Sequence, residues 1–199
     1  VPKKFYVFAS HYGHDIEDAA AYGWTVEGVK FDWPTLVAAK KKELSRLEGI
    51  YDGVLDNANV DLFKGRAVLE DAHTVRIGDQ TIRAENIIIS TGGTPFVPDM
   101  PGAELAITSN EIFDLDDFPK RLVINGAGYI ALEFACIFAG LGADVAVVYR
   151  GDMPLRGFDD DVRKAVHREM TEKGVTFRFE SNISGLEKSG DGLRVQLDD

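Results

Sequence analysis

The fold of this chain is decided by the stretch Leu122-Val123-Ile124-Asn125-Gly126-Ala127-Gly128-Tyr129-Ile130-Ala131. An apolar strand leads here into a G-x-G-x-x-A motif, and an apolar helical segment follows up to Gly140. In a nucleotide-binding βαβ unit the first glycine permits a tight turn, and the second lets the backbone approach a pyrophosphate. The helix N-terminus then offers N–H groups to the phosphates. The motif therefore predicts a dinucleotide site built around Gly126 and Gly128.

The segments downstream of the motif complete the unit. Val145–Val148 predicts a second buried strand, Asp159–Lys173 an amphipathic helix, and Val175–Phe179 a third strand. Strands that alternate with helices in this order are typical of a parallel sheet with right-handed crossovers. The second half of the chain is therefore predicted to be an α/β domain of the Rossmann type.

The end of the second strand bears on which nucleotide is bound. An NAD site places Asp or Glu there to bind the ribose 2′-hydroxyl, whereas this chain has Tyr149-Arg150, followed by Arg156. Two guanidinium groups suit a 2′-phosphate, because arginine offers fixed bidentate donors. Asp152 lies past the strand end. The pattern favours NADPH over NADH.

The first third of the chain predicts two helices. One runs from Phe5 to Tyr22 and is followed by an extended connector at 22–26. The other begins with an Asp32 cap and Pro34 in its first turn. The second helix carries an apolar stripe, predicted to face the core: Leu36, Val37, Leu44, Leu47, Ile50, Tyr51, Val54 and Leu55. Its lysine run, 40–42, is predicted to be solvated, and Tyr51 is open to either a core or a ligand-facing role.

The region after residue 60 changes to the period of two that is typical of strands. Short strands are predicted at Val60–Phe63, Ala67–Leu69, Thr74–Ile77 and Thr81–Arg83, and the last two are joined by a Gly78-Asp79 turn in a small antiparallel meander. Ile87-Ile88-Ile89 is a continuous apolar run, which predicts a strand buried on both faces. The proline-rich segment from Thr94 to Pro101 predicts a connector between domains, and Thr108 with Glu111 predicts a capping box.

Composition excludes several classes of function. The net charge of −11 argues against nucleic-acid binding, which needs lysine and arginine to neutralise phosphates. The apolar region 123–148 is interrupted by charges and glycines, so it is not a membrane span. The four histidines lack acidic or cysteine partners at metal-ligand spacing. Cys136 is the only cysteine, and we expect it to be a small buried hydrophobe in a reducing cytoplasm.

Glu133 is a carboxylate in an otherwise apolar helix. Such a group needs a partner or a function. Spacing alone leaves two interpretations open, a glutamate at the edge of an interface and a functional residue.

Five ordered motifs, together with Val1-Pro2-Lys3-Lys4, resemble the glutathione reductases of the class I pyridine nucleotide-disulfide oxidoreductases, and the bacterial and plant branch most closely. The motifs are Arg46–Tyr51, Gly65–Ala67, Ile87–Gly93, Gly126–Phe134 and Leu155–Asp159. The resemblance covers essentially the whole chain. It implies that residues 1–94 are the C-terminal portion of an FAD-binding domain, and that residues 95–199 are the N-terminal portion of an NADPH-binding domain.

The resemblance also implies roles for individual positions. Lys3 and Glu133 would form an ion pair beside the reactive edge of the flavin. Tyr129 would be a lid over the flavin. Tyr51 would face the disulfide substrate. The positions implied to contact FAD are Lys3, Ala67, Thr91 and Gly92. The positions implied to line NADPH are Gly126, Ala127, Gly128, Tyr129, Ile130, Glu133, Arg150 and Arg156.

The implied reaction is the reduction of glutathione disulfide by NADPH through FAD in a homodimer. We expect the redox-active cysteine pair to precede Val1, and the rest of the nucleotide domain and the dimerisation domain to follow Asp199; Cys136 is no substitute, because one thiol lacks a resolving partner. Three alternatives stay open: a trypanothione-type or other small-disulfide reductase, dihydrolipoamide dehydrogenase, and a nucleotide-binding module without catalysis. Arg150 and Arg156 disfavour dihydrolipoamide dehydrogenase.

Overall fold

The computed structural model describes residues 2–198 as an α/β chain with three separate sheets. Contacts divide it into two compact units. The larger unit runs up to Lys42 and resumes at Phe96, and the smaller unit spans Glu43–Pro95. The domain boundary that we predicted at residues 94 and 95 lies beside the second of these divisions, and the assignment of the segments to FAD- and NADPH-binding domains stays a prediction.

Two helices open the chain. Helix α1 spans Pro2–Ala19 and continues as a 3-10 turn over Ala20–Tyr22. It is helical three residues earlier than predicted, because a proline is tolerated in a first turn, where the N–H groups have no helical partner. Gly23, at φ 84°, ends the segment, as the predicted connector requires.

Helix α2 spans Trp33–Asn57, and both of its ends are defined by local hydrogen bonds. The Asp32 carboxylate accepts the Thr35 N–H at 2.9 Å, which confirms the predicted cap. At the other end Asn59 is left-handed, at φ 52°, and the Val60 N–H donates to the Leu55 carbonyl. This helix-ending motif uses the first donor of the strand predicted at Val60–Phe63, and no strand forms there.

The stripe predicted along α2 is only partly buried. Leu36 and Val37 pack against the core, whereas Ile50, Tyr51 and Val54 are exposed. Lys40, predicted to be solvated, is buried on the core-facing side of the helix. The lysine run was wrongly predicted because three consecutive residues of a helix point in three directions, and one of them turns toward the core.

The smaller unit contains the predicted antiparallel meander. Its strands are β1 (Ala67–Asp71), β2 (Thr74–Ile77) and β3 (Gln80–Arg83), paired in the order β1-β2-β3. Ile77 pairs with Gln80 across the predicted turn, in which Gly78 has φ 58°. The strand predicted at Ile87-Ile88-Ile89 is wrong: the segment forms no strand, and Ile88 is 86% exposed. An apolar run becomes a buried strand only if neighbouring strands pair with it, and among residues 2–198 none does.

The parallel unit predicted from the glycine motif is confirmed. It consists of β4 (Arg121–Asn125), α3 (Tyr129–Gly140), β5 (Asp144–Val148), α4 (Asp160–Glu172) and β6 (Thr176–Arg178). The sheet order is β4-β5-β6, and both pairs are parallel. Asp159 caps α4, because its carboxylate accepts the N–H groups of Asp161 and Val162.

The remaining elements flank this unit. Short 3-10 helices lie at Ala103–Leu105 and Glu111–Asp114, and the hairpin β7 (Ile183–Ser189) with β8 (Gly192–Leu197) was not predicted. The Thr108–Glu111 capping box is confirmed only in part: Glu111 accepts the Thr108 N–H at 2.7 Å, but the Thr108 hydroxyl accepts the Asn110 N–H, and the 3-10 helix begins at Glu111 without a side-chain cap. Among residues 2–198 no helix is both long and apolar enough to cross a membrane.

The core of the larger unit joins α1 and α3 to the parallel sheet. Tyr6, Trp33, Phe138 and Val145 are among its buried side chains. Small residues let α1 and α3 approach closely: a side chain at Gly140 would lie 3.0 Å from the Ser10 Cβ. This packing fixes the N-terminal end of α1 relative to α3.

Candidate functional site

The glycine turn between β4 and α3 has the backbone geometry that the motif predicts. Gly126 has φ 117°, a conformation that side-chain-bearing residues rarely adopt, and its N–H donates to the Val148 carbonyl at 2.8 Å. Gly128 precedes α3 in an extended conformation, and no side chain caps the helix. The N–H groups of the first turn therefore stay available to an anion at the positive end of a 12-residue helix.

The segment after β5 is tied directly to this turn. The Leu155 N–H donates to the Ala127 carbonyl at 2.9 Å. Leu155 is buried and left-handed, at φ 56°, which is rare for a leucine and indicates a constrained loop. The bond holds Arg156, its neighbour, beside the glycine turn. The sequence placed Leu155 in the Leu155–Asp159 motif but did not predict its left-handed backbone, because nothing in its residue type signals this conformation.

Arg150 and Arg156 are both exposed, and neither forms a hydrogen bond or an ion pair through its side chain within residues 2–198. Asp152, the nearest acid past the strand end, lies 3.6 Å from Arg163. Tyr149 follows β5 directly, where an NAD site would carry its ribose-binding acid, and its ring packs against Gly151, where an added Cβ would lie 2.5 Å away. The strand end thus offers two free guanidinium groups and no free carboxylate at the ribose position.

Arg163, on α4, forms hydrogen bonds to the backbone of this loop. Its Nε donates to the Pro154 carbonyl at 2.8 Å and its Nη2 to the Met153 carbonyl at 3.2 Å, while Asp160 pairs with the same guanidinium at 2.9 Å. The side chain is mostly buried, so these bonds are shielded from water. Its role was also missed, since an arginine on an amphipathic helix is usually a surface residue.

Replacing Arg163 by Ala is expected to weaken NADPH binding roughly tenfold, because the loop that carries Arg156 loses two charge-assisted bonds. Titration of the complete protein with NADPH measures the effect. Arg168→Ala is the matched control, since Arg168 lies on the same helix but, in the described part of the chain, pairs only with Glu169 and Glu172. Equal affinities for the two variants would contradict a supporting role for Arg163.

The ion pair between Lys3 and Glu133 is present in the structure. It joins the first turn of α1 to the first turns of α3. The Lys3 ammonium also lies 5.7 Å from the ring centre of Tyr129 and 5.9 Å from that of Phe134. Glu133 is therefore partnered, as the resemblance implies, and both charges border the glycine turn.

Four other positions of interest belong to the smaller unit. Tyr51 is an exposed residue of α2, and Ala67 is the first residue of β1. Thr91 and Gly92 are exposed and lie outside helices and strands. Gly92 has φ 71° with open space at its Cβ position, which leaves room for a ligand to approach the backbone.

Cys136 is exposed on the surface of α3, which corrects our expectation of a buried residue in a helical core. It lies at the rim of a cleft of about 170 Å³ that His11, His14 and Lys173 also line. The walls of this cleft desolvate the thiol and raise its pKa, and the nearby Lys173 offsets this in part. Among residues 2–198 no group of three His, Cys, Asp or Glu side chains could hold a metal ion.

Replacing Cys136 by Ser is expected to leave disulfide reduction by the complete protein within about twofold of wild type. The raised pKa keeps the thiol protonated at neutral pH, and the protonated form is a poor nucleophile. Steady-state turnover checks this. A large loss in a variant that still folds would assign Cys136 a part in the reaction.

Two comparisons with known proteins, by family model and by sequence, agree on the family. The family model of the pyridine nucleotide-disulphide oxidoreductases matches residues 2–199. Glutathione reductase of Burkholderia cepacia is 43% identical over 197 residues, 99% of this chain and 44% of that protein. The chloroplastic/mitochondrial glutathione reductase of Pisum sativum is 44% identical over 96% of this chain and 35% of its own length. Trypanothione reductase of Leishmania donovani is 38% identical over 96% of the chain and 42% of that protein.

A solved structure extends the agreement to the fold. The Cu(II) complex of a cysteine-to-serine mutant of RclA, an HOCl-induced flavoprotein disulfide reductase from Escherichia coli, superposes with a TM-score of 0.83. It is 22% identical, covering 100% of this chain and 43% of its own, so the likeness concerns the fold alone. The chain thus spans less than half the length of each of these relatives. By its sequence over residues 2–199, the chain belongs to the pyridine nucleotide-disulphide oxidoreductase family.

Proposed function

We propose that this chain forms the NADPH site and part of the flavin site of a disulfide reductase that reduces glutathione disulfide. The observation that carries the proposal is the loop after β5: a hydrogen bond from Leu155 holds it on the glycine turn, and it presents two unpaired arginines. The glutathione reductases among its relatives, at 43% and 44% identity, support the choice of substrate.

The residues around the glycine turn fit a dinucleotide, and the positions proposed for FAD come from the resemblance to glutathione reductases. Gly126 and Gly128 leave the turn free of side chains, and the uncapped end of α3 provides N–H donors for a pyrophosphate. Arg150 and Arg156 would bind the 2′-phosphate, with Ala127 and Ile130 beside the dinucleotide. For FAD, the positions are Lys3, Ala67, Thr91 and Gly92, of which Gly92 offers open backbone. When bound, NADPH supplies a hydride and FAD passes the electrons to a cysteine pair.

In that scheme the residues of this chain bind the nucleotides and orient the reacting groups. Glu133 pairs with Lys3 and keeps the ammonium at one position. There the positive charge of Lys3 would stabilise negative charge that develops on the flavin. Tyr129 stands at the start of α3 with its ring exposed, so it can turn aside without disturbing the core. Tyr51 would contact the disulfide substrate from α2, where its side chain is exposed.

The complete protein tests the proposal directly. We expect a flavin absorption band, oxidation of NADPH on addition of glutathione disulfide, and a much slower reaction with NADH. A colourless protein, or one that reduces lipoamide with NAD-linked kinetics, would overturn the proposal. A nucleotide-binding module without catalysis would bind NADPH and oxidise none.

Reduction of trypanothione disulfide is the second candidate function. The 38% identity to trypanothione reductase over 96% of this chain favours it. Parallel assays with the two disulfides distinguish the candidates. If kcat/KM were higher for trypanothione disulfide than for glutathione disulfide, trypanothione disulfide would be the preferred substrate.

A homodimer and a cytoplasmic location complete the proposal. The homodimer comes from the resemblance to glutathione reductases, and the cytoplasmic location from the single cysteine, which suits a reducing compartment. Light scattering of the complete protein measures the first, and cell fractionation measures the second. A monomer that reduces the disulfide at full rate would contradict the dimer.

A further inference from the structure

Lys40 is the only lysine within residues 2–198 whose side chain is fully buried. It is 2% exposed, and its ammonium donates to the Phe113 carbonyl at 2.9 Å and to the Asp114 carboxylate at 2.8 Å. Asp114 itself is half exposed, at the rim of the core. The positive charge therefore lies inside the unit and its counter-charge at the edge.

Such a residue is expensive to bury for packing alone. Desolvation of an ammonium opposes folding, and an apolar side chain of similar size would fill the same space at lower cost. What the ammonium adds is direction, because its hydrogen bonds fix two points of the segment 113–114. Trp33 fixes a third point, since its indole N–H donates to the Leu115 carbonyl at 2.7 Å.

Phe113 connects this fixed segment to α1. Its carbonyl accepts a second hydrogen bond, from the Tyr6 hydroxyl at 2.7 Å, and its ring lies 5.8 Å from the Tyr6 ring. Burial, with the Asp114 carboxylate second, raises the pKa of Tyr6 to about 12, so the hydroxyl stays a donor at neutral pH. Tyr6 lies one turn after Lys3, on the same helix.

Phe113 also contacts α3. Its ring packs edge-on against Phe134, with centres 5.2 Å apart, and the Phe134 ring lies 5.9 Å from the Lys3 ammonium. Phe134 follows Glu133 directly in the chain. The Phe113 side chain therefore touches both helices that carry the ion pair, and Lys40 donates to the same Phe113 carbonyl as Tyr6.

We propose that Lys40 is a positioning residue for the Lys3–Glu133 pair, acting through Phe113. By fixing Phe113 between Tyr6 and Phe134, it sets the spacing of α1 and α3 at the end where the two charges meet. The proposal rests on the proposed function only in what the pair does beside the flavin. The geometric part, that Lys40 keeps the pair together, is independent of the reaction.

The crystal structure of the complete protein with Lys40→Met tests the geometric part. Methionine keeps most of the volume and removes both hydrogen bonds. We expect Phe113 to shift and the Lys3 ammonium to move out of ion-pair distance (~4 Å) of Glu133. A variant structure in which the pair is intact would overturn the proposal, whatever the pair does in catalysis.

Rapid-reaction kinetics test the functional part. We expect Lys40→Met to reduce the flavin with NADPH roughly tenfold more slowly than wild type. In a Glu133→Gln background the same change is expected to cause no further loss, because the pair is already broken. An equal loss in both backgrounds would mean that Lys40 acts by general destabilisation and would overturn the proposal. If the Glu133→Gln variant reduced its flavin at the wild-type rate, the role proposed for the pair would instead be refuted.

Lys41→Met is the matched control. Lys41 is the adjacent residue, its ammonium lies 3.2 Å from the same Asp114 carboxylate, and its side chain is 62% exposed. It forms no bond with Phe113, so we expect wild-type flavin reduction. A loss as large as that of Lys40→Met would assign the effect to the charge of Asp114 and overturn the proposal.

Tyr6→Phe keeps the proposal testable if Lys40→Met does not fold. It removes one of the two hydrogen bonds to the Phe113 carbonyl and keeps the ring contact. We expect a loss in flavin reduction of about threefold that disappears in the Glu133→Gln background. Unchanged reduction by Tyr6→Phe, together with an unchanged ion pair in its crystal structure, would overturn the proposal.

Discussion

Arg150→Glu combined with Arg156→Ala is expected to lower kcat/KM for NADPH by about two to four orders of magnitude. Each arginine would form a charge-assisted hydrogen bond to the 2′-phosphate, and the loss of such a bond costs about 1.5–3 kcal/mol. The new glutamate at position 150 also repels the phosphate. NADH carries no 2′-phosphate, so its kcat/KM is expected to change little, and the preference between the two nucleotides shifts toward NADH.

The measurement is the ratio of kcat/KM for NADPH to that for NADH, determined in the complete protein. Arg194→Ala is the control, because Arg194 is an exposed arginine of β8 whose one ion pair within residues 2–198 is with Glu187. It removes one positive charge without touching the loop after β5. An unchanged ratio in the double variant would show that the arginines do not read the 2′-phosphate.

Lys3→Met is expected to slow the reduction of the flavin by NADPH about a hundredfold. The ammonium is the partner of Glu133, and a preorganised charge beside a reacting group is typically worth about 2.7–4 kcal/mol. Removing it also leaves the carboxylate without its counter-charge, next to the ring of Phe134. Stopped-flow absorbance at saturating NADPH measures the rate.

Lys4→Met is the matched control for this second prediction. Lys4 is the next residue of α1, and its ammonium lies over the Phe8 ring, 5.9 Å from the ring centre, away from Glu133. Lys4→Met removes one positive charge from the same helical turn as Lys3→Met does. If both variants reduced the flavin at the same rate, the position of the Lys3 charge would be irrelevant.

The sequence by itself determined the elements whose signals are local. The glycine turn, the cap at Asp32, the hydrogen bond from Thr108 to Glu111, and the Gly78-Asp79 turn were predictable, because each depends on the backbone freedom or side-chain reach of a few neighbouring residues. The parallel order of β4, β5 and β6 followed from the alternation of apolar strands and helices. The pairing of Lys3 with Glu133 came from the resemblance, not from spacing.

Only the tertiary structure decided where residues of ambiguous pattern lie. Ile87-Ile88-Ile89 has the composition of a buried strand, yet burial requires partner strands that periodicity cannot supply. Lys40 belongs to a charged run but faces the core, because Phe113 and Asp114, more than 70 residues away, provide its hydrogen-bond acceptors. Leu155 is left-handed because the Ala127 carbonyl takes its N–H. In each case the deciding energy comes from a contact distant in sequence, and only the packed chain brings those atoms together.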